Sequence, residues 1–510
     1  MPTRACRVGG VAGGGVRVRP VGCLRAPGAS GREFGRQYRG PDLHRDRQVP
    51  QAVPATSLDA VDSPPDAPVT GTALQRAIRL PHATALVVGT IIGASIFVQP
   101  SEITSQVPSV LGVLAVWLVA GGLTMIGALV CAELASTFTR TGGVYIYLSE
   151  AFGPAVGFLW GWAMFWTMHS GIIAAIAVVF ARYAGYLIPM GAVGTKAVAV
   201  TVILFLSYVN YLGVKQGTRL QTVFTIGKLL AVLLIVIVGL ALGGRVEGHF
   251  VESVAFTGAI TPKHFFAGLA AGLFAFGGWH MVTYSSEETV DPARTIPRAL
   301  VIGTLIVTAS YLALNTIYFY VLPLDTVAAS TRVAADLAEA VLGTGGGGAV
   351  SVLVMFSTFG ALAGIVLAGP RVYLAMAQDG LLFRWCGAIH PKYQTPHRVI
   401  VLQAVWASVL VATGTFQALF TRVVYTEWIF FGLMTVGLFL FRRRRGLSRA
   451  YSVWGYPVLP ALFAVTAFAV VISEVWSSPW DTLEGLGLVL AGLPVYYLWA
   501  RKGLSPKATA

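Results

Sequence analysis

The sequence predicts an all-α integral membrane protein of about twelve transmembrane helices, and three observations predict it. Of 510 residues, 55% are hydrophobic and only 11% charged, with a mean hydropathy of +0.72, whereas soluble domains carry about 25% charged residues. Uncharged runs from Ile103 to Ala132, Ala340 to Pro370 and Val399 to Thr421 each exceed the roughly 20 apolar residues that cross a bilayer as a helix. From Pro81 onward twelve apolar segments follow one another, beginning near residues 83, 110, 154, 197, 218, 265, 299, 346, 399, 423, 456 and 484.

Ahead of them, residues 1–75 are rich in Arg, Gly, Pro and Ala and lack apolar periodicity. Such a segment cannot bury enough surface to fold, so 1–75 is expected to be disordered and 76–505 to form the membrane domain. The segment also lacks the apolar stretch of a signal peptide. The formal charge of +14 does not mark a nucleic-acid binder, because ten arginines against Glu33, Asp42 and Asp46 place half of the excess in residues 1–50. Most of the remaining cations, among them Arg140, Lys215, Arg219, Arg294, Arg298, Arg384, Lys392, Arg398 and Arg442 to Arg445, fall in loops on one side of the membrane. The positive-inside rule then places both termini in the cytoplasm of a multi-pass cell-membrane protein. Cys6, Cys23, Cys131 and Cys386 show no metal-ligand spacing, and neither a metal nor a cofactor is expected.

The first span carries Gly89-Thr-Ile-Ile-Gly93-Ala-Ser95 and the sixth Phe276-Gly277-Gly278-Trp279. Two glycine-interrupted spans set five apart are the pattern of a five-plus-five inverted repeat, whose paired discontinuous helices meet near the bilayer midplane at a binding site. Glycines that merely let helices pack closely are the alternative. A helix broken at membrane depth leaves N–H and C=O groups that protein, water or a ligand must satisfy. The half-helix from Ser95 aims its free amides, at Gly93, Ala94, Ser95 and Ile96, into the break, where a carboxylate fits. Carbonyls freed at Ile91 and from Phe274 to Gly277 suit an ammonium. The simplest cargo with both groups is an α-amino acid.

In the fifth span Lys228 sits among apolar residues, where a cation costs roughly 3 kcal/mol. It is expected to bond the freed carbonyls of the first break, as a substitute for a coupling sodium ion or as a proton-linked switch; the alternative is that it snorkels to the interface. Phe274 and Trp279 flank the second break and are candidates to close over substrate. His280 is a candidate to tune side-chain selectivity or relay protons, while His169 reads as a neutral core histidine. Tyr145 and Tyr147 are expected to anchor the third helix at the membrane interface, and the acids and arginines from Ser285 to Arg298 to form ion pairs at the cytoplasmic mouth.

Four stretches carry a resemblance: Gly89 to Val98, Ala132 to Ala135 with Thr141 to Tyr147, Phe274 to Trp279, and Glu287 to Arg298. The chain from about Ala83 to Arg442 resembles the amino acid–polyamine–organocation superfamily, and within it the L-type amino acid transporter branch and bacterial serine/threonine exchangers. The resemblance implies a LeuT-type fold with helices 1 and 6 broken, and sodium-independent exchange or proton-coupled uptake. It also implies a substrate held by backbone at both breaks, Phe274 as the gating aromatic, and Lys228 at the former sodium site. The family usually has Gly-Ser-Gly in the first break; Gly93-Ala94-Ser95 moves the hydroxyl by one position and adds a side chain. Many relatives have Asn or Asp at His280, so a titratable ring there predicts pH-dependent uptake.

Animal members of the branch join a heavy chain through a cysteine after the third span, yet residues 188–196 contain none, so no disulfide-linked partner is expected. A homo-oligomer is compatible with the chain. The expected function is secondary active transport of neutral amino acids by alternating access, not an enzyme activity. A non-transporting sensor with a permease fold, or a carrier of cationic amino acids or polyamines, are the alternatives.

Overall fold

The computed structural model describes residues 74–501 apart from 94, 245, 247–260, 331, 344, 415, 445 and 478. The disordered segment expected at 1–75 therefore lies, but for its last two residues, outside the described residues. So does Ala94 of the first break.

Among the described residues the chain is helical and forms no strand, only an isolated bridge between Ile78 and Thr289. In order the helices are α1 (Leu80–Ile91), α2 (Ser95–Gln106), α3 (Val110–Thr137), α4 (Val144–Phe152), α5 (Pro154–Ala163), α6 (His169–Leu187), α7 (Ala192–Tyr211), α8 (Val214–Leu242) and α9 (Pro262–Ala275). Then come a 3-10 helix (Trp279–Glu288), α10 (Pro292–Val321), α11 (Leu324–Ala329), α12 (Val333–Leu342), α13 (Gly346–Gln378), α14 (His397–Thr413), α15 (Phe416–Arg443), α16 (Val458–Ser477), α17 (Pro479–Leu490) and α18 (Gly492–Arg501). Starts are encoded locally: Pro154, Pro262 and Pro292 occupy the first turn of α5, α9 and α10, where a missing N–H is harmless. The Ser109 hydroxyl caps α3 by accepting from the Gly112 amide at 3.2 Å, as N-cap residues do.

Eight helical stretches are long and apolar enough to cross a membrane, and α1 with α2 makes a ninth span bent by 46° at its break. His397–Thr413 and Val458–Ser473 are shorter apolar helices; with α15 they occupy the remaining starts anticipated from the sequence. The protein is an all-α membrane protein. α8 shows how such a body is built. Its buried positions include Thr218, Gln221, Thr225 and Lys228, whereas Val223, Ile226, Leu230, Leu233, Ile237 and Leu240 are each more than half exposed. Polar groups face inward and aliphatic ones outward, the reverse of a soluble helix and the arrangement that lipid requires.

One expectation is corrected and another is met in part. Tyr145 and Tyr147 are not interface anchors: both are 1% exposed, because α4 packs on α15 and turns them into the interior, and the Tyr145 hydroxyl donates to Asp379 at 2.8 Å. The ion pairs expected within Ser285 to Arg298 form in part: Arg294 Nε lies 4.0 Å from Asp291 Oδ2 at the surface, whereas the buried Glu288 finds its partner outside the loop. Glu288 pairs with Arg371 of α13, which donates through Nε at 2.7 Å and Nη2 at 2.9 Å. The third span is also not a plain helix, since a π-turn at Met164–Met168 joins α5 to α6.

Candidate functional site

The first break begins where α1 ends at Ile91 and is over by Ser95, the first residue of α2. Ending one helix and starting another four residues later frees several carbonyls in the interior. Lys228 takes two of them. Its Nζ donates to Gly89 O at 3.1 Å, Ile92 O at 2.6 Å and Ser357 O of α13 at 3.1 Å. With α8 starting at Val214 the lysine lies in mid-helix, 1% exposed, and does not snorkel. Three donors meet three acceptors, so the ammonium is satisfied without a counter-ion. The Ser357 hydroxyl donates to Gly93 O at 3.2 Å.

The second break falls where anticipated. α9 stops at Ala275, residues 276–278 turn, and Gly278 takes φ +96°, ψ −8°. A Cβ there would lie 3.2 Å from the Thr90 carbonyl oxygen, so glycine serves both the left-handed backbone and the close approach of the two breaks. Its second half is a 3-10 helix, a local winding that sequence pattern does not distinguish from α.

Two hydroxyls stitch the breaks together. Thr90 Oγ1 lies 3.1 Å from Gly278 O, as well as near Leu86 O and Val87 O. Tyr311 Oη of α10 lies 3.2 Å from Ile91 O and 3.0 Å from Ala275 O. A hydroxyl has one proton, so Tyr311 cannot satisfy both carbonyls at once. Acceptors outnumber donors where the breaks meet. Tyr311 was not legible as a site residue: a tyrosine in a membrane helix carries no motif, and only the fold brings it to both breaks.

Around this junction is a cavity of about 350 Å³, within the range of small-molecule sites. Of the anticipated residues, Ile91, Gly93, Ser95, Phe274, Gly277 and Trp279 line it, together with Thr90, Ala275 and Gly278. Its walls are apolar, with Ile172, Ile176 and Val179 from α6, Leu273 and Phe274 from α9, and Trp428 and Phe431 from α15. The lining extends along α2 to Gln99 and along α6 to Arg182.

Ile96 and His280 are not in the lining. Ile96 is 1% exposed, and His280 stands behind the wall among Trp160, Trp279, Tyr284 and Phe431, with ring centroids 4.8–6.0 Å away. What reaches the cavity in its place is Glu427 of α15, whose Oε1 lies 3.5 Å from His280 Nε2. Neither break contains an acid of its own; this one comes from a different span, where Thr426-Glu427-Trp428 is the available signal, a lone acid inside an apolar segment. Among the described residues no group of three or more His, Cys, Asp and Glu could hold a metal ion. Cys131 and Cys386 are unpaired and buried.

Paired helix breaks around a cavity, inside a polytopic helical body, define a membrane carrier for a small polar solute. The model of the amino acid permease family matches residues 78–482, and the chain belongs to that family. It is 34% identical over 431 residues to the serine/threonine exchanger SteT of Bacillus subtilis, covering 83% of this chain and 97% of that relative. It is 33% identical to the human large neutral amino acids transporter small subunit 2, over 85% of this chain and 82% of the relative. It is 31% identical to the human b(0,+)-type amino acid transporter 1, over 85% and 91%.

Proposed function

We propose that the chain is a sodium-independent carrier of neutral amino acids that works by alternating access between the two faces of the cell membrane, with both termini cytoplasmic. The observation that carries this reading is the surplus of carbonyl acceptors shared by Ile91 and Ala275 under the single Tyr311 hydroxyl. It lies on the same cavity as Ser95 at the amino-terminal end of α2. An α-ammonium supplies the donors that the carbonyls lack, and the α-carboxylate takes the free amides and positive dipole end of α2. The substrate side chain then meets aliphatic and aromatic walls, which supports a neutral cargo. Lys228 ties the first break to α13, donating to Gly89 O and Ile92 O of the break and to Ser357 O, the role a bound cation would otherwise serve, and this supports transport without sodium.

The test is counterflow in proteoliposomes at equal pH inside and out. Labelled serine, threonine, alanine or leucine should enter vesicles preloaded with an unlabelled neutral amino acid at least five-fold faster than empty ones, with or without sodium. The absence of saturable, amino-acid-stimulated entry for every neutral substrate sinks the reading. A second reading, a cationic cargo, is favoured by Glu427 on the cavity wall, and competition by lysine stronger than that by leucine would select it.

A further inference from the structure

Glu427 and His280 form a pair for which backbone recognition of an α-amino acid has no use. The carboxyl lines the cavity, yet its side chain is only 11% exposed, and its Oε1 faces His280 Nε2 at 3.5 Å. His280 is itself fully buried, and neither ring nitrogen has a hydrogen-bond partner. Trp279, Trp428 and Phe431 wall the same corner. The carboxylate shows the cavity little more than an edge and turns Oε1 to His280. A proton needs only that edge.

Charge balance gives the pair its task. With no proton shared between them, the carboxylate and neutral imidazole carry one negative charge, tolerable while the cavity is wet and strongly disfavoured once apolar walls close around it. With one proton, on either the carboxyl or the ring, the pair is neutral. Lys228 is poorly placed for the same work, because its three N–H donors are engaged by three carbonyls in this state.

The surrounding groups leave the assignment to this pair. Tyr284 of the 3-10 helix lies against His280 and interacts with Glu427, and beyond it stand Cys131 of α3, Tyr147 of α4 and Tyr373 of α13. Phenols and thiols ordinarily titrate above neutral pH. From α6, His169 has its Nε2 held 2.8 Å from Ile365 O, and Arg182 lines the same cavity from an exposed position. Away from the cavity the hydroxyls of Tyr284 and Ser285 are buried without hydrogen-bond partners.

We infer that Glu427 with His280 is a proton-binding site that couples amino acid entry to a pH gradient: one proton is bound as the loaded cavity closes and released when it opens to the other side. The inference rests on the carrier reading above, and deepens it.

The full-length protein in empty vesicles tests it. With the outside more acidic than the lumen, labelled neutral amino acid should accumulate above its equilibrium level, the lumen should acidify on substrate addition, and net positive charge should enter. Glu427→Gln should lower the ratio of gradient-driven accumulation to equal-pH counterflow, measured in the same vesicles, at least ten-fold. His280→Gln should lower it less, because the carboxyl can still bind a proton. Glu427→Asp, which keeps the acid, should retain gradient-driven accumulation and covers the case in which the Gln variant does not fold. Counterflow without any gradient-driven accumulation in the wild type overturns the inference and spares the carrier reading; no counterflow at all overturns both. A ratio of gradient-driven accumulation to equal-pH counterflow that survives Glu427→Gln but collapses in a Lys228→Gln variant whose residual counterflow is still measurable moves the proton to Lys228. Lysine uptake that disappears in Glu427→Gln without any gradient effect makes Glu427 a substrate-binding group, and that too overturns the inference.

Discussion

At the scale of single residues, the site is ordered by side chains that bond backbone. Removing Lys228 leaves Gly89 O and Ile92 O without a donor, and a buried unsatisfied acceptor costs about 1–3 kcal/mol. Lys228→Met is therefore expected to reduce counterflow at least ten-fold while the protein still inserts. Lys228→Arg should not restore it, since Gly360 and Phe224 close around the lysine end and a Cβ on Gly360 would already lie 3.2 Å from Lys228 Cε. Uptake kinetics, paired with a size-exclusion profile, check both. Tyr311→Phe removes the one proton that two carbonyls share, worth about 1 kcal/mol. The breaks lose a tether, and the KM for the amino acid should rise several-fold with a small drop in thermal stability in detergent; an unchanged KM would show that Thr90 alone holds the breaks.

At the scale of elements, the two breaks were legible in the sequence because glycine-interrupted motifs recur in two spans set five apart, a register that packing glycines such as Gly121 do not share, and α2 starts at Ser95 as read. Lys228 was legible because an isolated cation in an apolar span demands partners. What could not be read was what comes from elsewhere in the chain. Tyr311, Ser357 and Glu427 reach the site from α10, α13 and α15, and no local pattern distinguishes them from packing residues. His280 shows the opposite failure: adjacent to Trp279 in sequence, it lies on the other side of the wall, because successive residues of a helix point in different directions. Gly278 carries the sharpest element-level prediction. An alanine there must adopt φ +96° and press on the Thr90 carbonyl, a strain of about 1–3 kcal/mol that pushes the breaks apart. Gly278→Ala should abolish counterflow more completely than Gly277→Ala, whose Cβ meets the Phe274 carbonyl oxygen at 3.2 Å but whose φ lies outside the left-handed range. Equal losses in the two would assign the effect to crowding and not to backbone conformation.

At the scale of the molecule, the contacts are asymmetric about the cavity. Its lining runs toward the far ends of α2 and α6, while the opposite end, where α1 begins, is locked by charge and backbone. Glu288 and Arg371 are both 0% exposed and paired through two hydrogen bonds, and Arg371 also reaches Leu367 O. The Glu288 carbonyl receives the amides of Ala77 and Ile78 at 2.9 Å, and Val290 returns a bond to Ile78 O, so the strand-like segment before α1 straps the end of the 3-10 helix. Arg140 and Asp379 pair nearby at 2.6 Å. In the alternating-access cycle proposed above, opening this end requires Glu288 and Arg371 to part. Deleting one member of a buried pair strands the other charge, at about 3–5 kcal/mol, whereas replacing both is tolerated far better. Since about 1.4 kcal/mol is a tenfold change in population, Arg371→Met should move much of the protein to a state open at the α1 end. Glu288→Gln with Arg371→Met should do so without the stranded charge and with a smaller loss of stability. A cysteine introduced at Ala175 on the cavity wall reports this. In sealed vesicles of known orientation, a membrane-impermeant maleimide should label it from the α1 side at least ten-fold faster in either variant than in the parent, with slower labelling from the other side. If rates from the α1 side do not change, the pair is a structural rivet, and the lock that the proposed alternating access has to release lies instead in the Ala77–Val290 strap.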